Sequence, residues 1–264
     1  MIEVVTLDFG NTLCPVPAAA LRGVVAATAA VVAERLGPFE IDEVARAWGE
    51  ERERQFREEV PRFREVDLAV RVARVLARLR GVPVPPPDEP WDDAAAGLMS
   101  DREEITLVLE AYSSGFVAAL PPAEGAGSLI ARLAASRRVA ILSNWPLAST
   151  IDRYAAAAGW TPHLAAIVVS QRVGTIKPHP GIFAAARAAL GDPDPRSILH
   201  VGDDWAADVE GARAAGWRAA WLSSRPADSP LPGSERTDAI EADLVLGSLA
   251  ELEAGIAHLE AAGA

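Results

Sequence analysis

Val4 to Leu7 is an apolar run interrupted only by Thr6, and it ends on Asp8 and a turn that contains Gly10. A run without polar alternation predicts a strand buried on both faces. After Pro15 and Pro17 the period becomes helical, and helices are expected near Ala18 to Leu36, Ile41 to Val60 and Glu65 to Arg80. Past the Pro-rich stretch Val82 to Pro90, shorter helices are expected near Trp91 to Met99 and Asp101 to Ala119. No strand is expected in this insert of about a hundred residues. Beyond Pro121 and Pro122, strands alternate with helices. The expected order is helix Glu124 to Ala135, strand Arg138 to Ser143, helix Leu147 to Ala158, strand Ala165 to Ser170 and helix Gly181 to Leu190. Strand Ser197 to Val201, helix Ala206 to Ala215, strand Arg218 to Leu222, a short strand near Leu244 and a helix from Leu249 complete it. Such alternation predicts an α/β fold with a parallel sheet.

Charge removes several functions. The 264 residues carry a net charge of -12, which repels a phosphate backbone and leaves no counterion release to drive nucleic-acid binding. The longest charge-free stretch of the first helical region, Gly23 to Ala33, is too short to span a bilayer, so no membrane partner is expected. Glu3 stands where a secretory leader would be basic, so a cytoplasmic location is the default expectation. Cys14 is the single cysteine and is read as a small buried filler. The cations are 24 arginines and one lysine, Lys177, so a narrow site that rejects a guanidinium is one explanation for the exception and chance is another.

Four expected strand ends or following loops carry polar groups: Asp8 with Thr12, Ser143 with Asn144, Lys177, and the set Asp203, Asp204 and Asp208. If the first strand and the strand ending at Val201 are neighbours, Asp8 and Asp203 lie a few ångströms apart and need a cation between them. Oxygen ligands favour Mg²⁺ over zinc. Asp208, in the first turn of an expected helix, can point back toward the same place. Ser143 and Asn144, with backbone N–H groups around Phe9 and Gly10, offer donors to an oxyanion such as a phosphoryl group.

The order DxxxTL, SN, KP and GDDxxxD, with its spacing, resembles the haloacid dehalogenase-like superfamily of phosphotransferases and hydrolases across the whole chain. The resemblance implies a Rossmann-like parallel core formed by residues 1–14 and 121–264, with residues 15–120 as an inserted all-α cap. It implies Asp8 as the nucleophile that becomes an aspartyl-phosphate. Asp8, the Gly10 carbonyl and Asp203 would bind Mg²⁺, and Ser143 would hold a phosphoryl oxygen. Lys177 would bridge nucleophile and phosphate, and Asp208, helped by Asp204, would orient Lys177 or metal-bound water. The implied partner is a small phosphorylated metabolite. Oligomeric state is not readable.

One position departs from that pattern. Family phosphatases carry a second aspartate two residues after the nucleophile as general acid and base, and here that residue is Gly10. Losing such a group costs about 10²- to 10⁴-fold in rate. Three readings follow: a phosphatase for substrates with a good leaving group or with an acid borrowed from the cap, a weakly active or non-catalytic phospho-ligand-binding protein, and a 2-haloacid dehalogenase or phosphonatase-type hydrolase. Gly10 can equally be a turn glycine with positive φ. His179 is read as a helix cap and His200 as a core residue, with no chemistry assigned to either. Arg52, Arg54, Arg57, Arg62 and Arg64, interspersed with acids, are read as a solvated helix face, with an anion-reading role for one or two as the lesser alternative. Trp145 is left between stacking on a substrate and packing under the cap.

Overall fold

The computed structural model describes residues 1–262. The apolar runs become six parallel strands: β1 (Val4–Leu7), β2 (Arg138–Ser143), β3 (Ala166–Val169), β4 (Ile198–Gly202), β5 (Arg218–Leu222) and β6 (Leu244–Leu246). Their order is β3-β2-β1-β4-β5-β6, a Rossmann-like α/β sheet. Leu7 is level with Ile141 on one side and Val201 on the other, so β1 has β2 and β4 as neighbours. The order reverses direction at β1, and open sheets form their crevice at the carboxyl end of such a switch point. All four residues of β1 and all five of β4 are buried, as a sheet covered on both faces requires.

Two compact units result: Ala19–Ala119, and Met1–Ala18 with the described residues from Leu120 onward. The first is built from α1 (Ala18–Arg35), α2 (Ile41–Glu59), α3 (Leu68–Leu79), α4 (Asp93–Gly97) and α5 (Arg102–Ala119). The second adds α6 (Ala126–Ala134), α7 (Ala148–Ala157), α8 (Ser170–Val173), α9 (Pro180–Ala189), α10 (Gly211–Ala214) and α11 (Leu252–Ala262) to the sheet. Ile182, Phe183, Trp205, Val209 and Trp217 pack with the β-strand residues Val4, Leu142 and Ala219 in its core. Among the described residues no helix is long and apolar enough to cross a membrane.

In the helical unit, Asp67 starts α3 by accepting from the N–H groups of Ala69 (2.7 Å) and Val70 (3.4 Å). Arg54 departs from the expected solvated face. Its guanidinium is buried and donates to the carbonyls of Pro85, Pro86 (3.2 Å) and Glu89 (2.9 Å), pinning the Pro-rich loop. Arg74 bridges Glu58 (2.8 Å) and Asp93 (2.6 Å). Buried Arg71 donates to Gln55 Oε1 (2.9 Å) and lies over Trp48, which stacks on Tyr112.

The helix expected from Ala206 begins as a π-helical turn, Trp205–Glu210, and is α-helical only over α10. Asp204 caps that turn by accepting from Ala207 N (2.8 Å). Asp208 reaches back to the N–H of Asp204 (2.9 Å), so the polar residues of the motif close on one another in this wider turn.

Candidate active site

Three loops leave the carboxyl ends of β1, β2 and β4, and a fourth segment follows α8. Together they gather the predicted chemistry. Lys177 Nζ donates to Asp8 Oδ1 (2.7 Å), Asp208 Oδ1 (2.6 Å) and Leu142 O (2.9 Å), which uses all three of its protons. Asp8, Asp203 and Asp208, all buried, bring carboxylate oxygens within 4.8 Å of one another. Asp208 is further held by His200 Nε2 (3.1 Å), whose Nδ1 pairs with Thr6 Oγ1 (2.9 Å). A β-carbon on Gly202 would overlap the Asp208 carboxylate, which explains the glycine before Asp203.

The turn after β1 differs from the expected glycine turn. Asn11, with φ 56°, carries the left-handed backbone, whereas Gly10 is not among the residues with positive φ. Gly10 is instead a matter of space: a β-carbon there would sit 2.7 Å from Leu231 Cδ1 and 3.3 Å from Trp145 Cζ3. Asn11 Oδ1 accepts from Val16 N (3.1 Å) and Ser229 Oγ (3.1 Å), and its Nδ2 donates to Asp203 Oδ2 (3.3 Å). Phe9 is fully buried, edge-on to Trp145 and Tyr154, so both Phe9 and Trp145 are packed residues. The buried hydroxyls of Thr12 and Ser143 have no hydrogen-bond partner among the described residues.

Asn144 clamps the lysine main chain: its Oδ1 accepts from Lys177 N (2.7 Å) and its Nδ2 donates one of its two protons to Lys177 O (3.0 Å). Asp204 does not join the acid cluster, because the cap on Ala207 N and bonds from Ser234 N (2.9 Å) and Ser234 Oγ (2.7 Å) engage its carboxylate. His179 caps α9 as expected, accepting from Gly181 N (3.1 Å). His200 is buried as expected but also touches Asp208. Its signal was a polar residue within an apolar strand. Arg225, at 3.2 Å from Asp203 Oδ2, gave no signal in its Pro- and Ser-rich segment.

Electrostatics separate the three acids. Burial raises Asp8 from its ordinary value against the pull of Lys177. Burial, then Asp8 and Asp208, push Asp203 to about 8. Asp208 overcomes the same burial because Lys177 and His200 hold its carboxyl well below the usual range. Lys177 is likewise buried, yet Asp208 and Asp8 raise it above an ordinary lysine. Cys14 is inert, its thiol pushed up to about 12 by burial.

The donor set fits a hard divalent cation. Among the described residues, Asp8 Oδ2 and Asp203 Oδ1 make no hydrogen bond, and the acids lack enough positive charge to neutralise them. Carboxylate oxygens without nitrogen or sulfur donors suit Mg²⁺.

A family model described as haloacid dehalogenase-like hydrolase matches residues 2–216. The chain is 28% identical over 144 residues to the pyrimidine 5'-nucleotidase YjjG of Escherichia coli, covering 54% of this chain and 60% of that one. It is 41% identical over 73 residues to a phosphoserine phosphatase of Thermus thermophilus, covering 27% and 29%. The matches thus span 60% and 29% of these two relatives' lengths. A crystal structure of 2-haloacid dehalogenase from Pseudomonas syringae pv. Tomato superposes with TM-score 0.67 at 24% identity, over 98% of this chain and 99% of that one, a likeness of fold.

Proposed function

Since the chain belongs to the haloacid dehalogenase-like hydrolases, we propose that it is a phosphatase that hydrolyses a small phosphorylated metabolite through an aspartyl-phosphate on Asp8. The observation that carries this reading is the buried Lys177 ammonium, shared between Asp8 and Asp208 beside Asp203. An anionic carboxylate can attack an anionic phosphate only where positive charge offsets their repulsion. Asp8, Asp203 and the Gly10 carbonyl would hold Mg²⁺, which when bound supplies that offset as a Lewis acid.

The chain's own residues do the rest. Lys177, held by Asp208 and by Asn144, keeps the Asp8 carboxylate fixed for attack on phosphorus. Thr12 and Ser143 supply hydroxyl donors for phosphoryl oxygens, and water then cleaves the acyl-phosphate. The helical unit is assigned as the cap that sets substrate choice. Relatives named as nucleotide and phosphoserine phosphatases support a phosphorylated substrate.

Gly10 provides no acid, and the space above it is lined by Leu231 and Trp145. The reading is therefore of a phosphatase for leaving groups that depart without protonation, such as acyl or aryl phosphates. A halide also departs without a proton, which keeps 2-haloacid hydrolysis as the second reading. The test is phosphate release from acetyl phosphate and p-nitrophenyl phosphate with Mg²⁺. Wild type turns both over, and Asp8→Asn reduces the rate by at least about 10³-fold. Gly10→Asp combined with Leu231→Ala gains activity on an alkyl phosphate. No metal-dependent release from either activated substrate would sink the phosphatase reading, and metal-independent chloride release from 2-chloropropionate would install the second.

A further inference from the structure

The segment between β5 and β6 contains none of the residues used above for chemistry, yet it is fastened to both acid-bearing loops. Arg225 Nη1 donates to Asp203 Oδ2 (3.2 Å) and Pro232 O (2.9 Å), and its Nη2 donates to Leu231 O. Ser229 Oγ donates to Asn11 Oδ1 (3.1 Å), and Ser234 binds the Asp204 carboxylate through N (2.9 Å) and Oγ (2.7 Å). Leu231 lies against Gly10. The strap therefore meets the turn after β1 and the turn after β4 at once.

Its contact with Asp203 is selective. Arg225 and Asn11 both donate to Oδ2, and Oδ1 has no hydrogen bond among the described residues. A planar guanidinium can hold that one oxygen while its other N–H groups satisfy two strap carbonyls, which fixes the fork itself. The Asp203 carboxylate is thus gripped by one edge only.

We propose that Arg225 is a positioning residue for cation binding: it locks Asp203 by its Oδ2 edge so that Oδ1 is presented, with Asp8, to a divalent ion. This rests on the acids being the cation site of the proposed function. A positive fork also repels a divalent ion, and the two effects oppose each other. The geometry decides between them, because the fork occupies the oxygen that the ion does not need and its charge is already matched to Asp203. Residues that orient a metal ligand from behind typically contribute about 10- to 100-fold in affinity.

The experiment is Mn²⁺ binding, read from the free-ion electron paramagnetic resonance signal, in wild type, Arg225→Met and Arg225→Lys, with metal-free unfolding temperatures measured in parallel. Arg225→Met binds at least about tenfold more weakly. Arg225→Lys recovers part of the loss, which a purely structural role would not produce. Equal or tighter binding by Arg225→Met overturns the proposal. If that variant fails to fold, hydrogen exchange of the wild-type peptide Ser223 to Ser234 decides: Mg²⁺ slows it when the fork stays on Asp203, and unchanged or faster exchange overturns the idea. Mn²⁺ binding that is absent from wild type removes the cation site of the proposed function and this role with it. Intact binding that ignores Arg225 removes this role alone.

Discussion

Both units bury charged side chains, but they balance them differently. In the helical unit the buried guanidiniums are spread over several partners: Arg74 takes Glu58 and Asp93, Arg54 takes three loop carbonyls with Glu58 at 3.9 Å, and Arg71 takes Gln55 and the face of Trp48. In the sheet unit, three carboxylates lie within 4.8 Å of one another; Asp8 and Asp208 share Lys177, and Arg225 pairs with Asp203 at the edge. The first arrangement scatters its charges and leaves only Glu51 Oε2 and Arg71 Nη2 as unpartnered charged-group atoms among its described buried residues, whereas the second has surplus negative charge pointed at one place. Burying ions is costly in either setting, so burial alone marks no site. The surplus does, because it asks for a ligand.

Removing the shared cation should have the largest effect. Lys177→Met strands Asp8 and Asp208 in a buried setting, and an uncompensated buried charge costs about 3–5 kcal/mol. The expected outcome in metal-free denaturant unfolding is a loss of that size, together with loss of phosphatase activity. Arg74→Met should cost less, about 1–3 kcal/mol, because Asp93 is half exposed and can hydrate once released. If Arg74→Met proves the more damaging of the two, the contrast between the units fails.

The convergence at the acid cluster was legible in the sequence because it follows from topology: parallel strands β1 and β4, once paired, must bring Asp8 and Asp203 to the same end. Asp208 and the α9 cap at His179 were legible from spacing and helix chemistry, and Lys177 from being the single lysine and from the family resemblance. What escaped has a different physical origin. The role of Gly10 is steric and set by Leu231, some two hundred residues away, which no local pattern records. Asn144 and Asp204 carry the right donors and acceptors, but which partners they take depends on loop geometry. Arg225 sits in irregular chain where periodicity says nothing, and Arg54 was hidden in a charge mixture whose average suggests solvent.

The surplus should also show itself in pH dependence. Asp203 titrates at about 8 in the folded chain against 3.8 for an ordinary aspartate. Between those values the folded state binds more protons than the unfolded one, so stability present at low pH is lost as pH climbs through about 8. Asp8, also raised, acts in the same direction. Asp208 acts oppositely, its contribution being lost only as pH falls below the ordinary carboxylate range. Metal-free protein should therefore show a falling denaturation midpoint from about pH 5 to about pH 9. Asp203→Asn flattens this slope, and Mg²⁺ flattens it in wild type. A midpoint that rises over the same interval would mean that the cluster has no surplus to relieve.

Arg71 sharpens the comparison with the smallest expected effect. It is the buried cation of the helical unit that has neither a carboxylate nor a set of carbonyls, and burial brings its guanidinium down to about 10. Replacing it with methionine leaves no ion stranded. The lost bond to Gln55 and the lost contact with Trp48 are set against relief of a costly buried charge. Gln55 keeps its bond to Asp67 O (3.0 Å), so only its Oε1 goes unpaired. The net change in denaturant unfolding should lie within about 1 kcal/mol in either direction, with Gln55→Leu in the same chain removing the residual cost of that oxygen. A loss approaching that of Lys177→Met would show that the neighbouring acids Glu65 and Glu51 depend on Arg71, and the contrast between the units would fail.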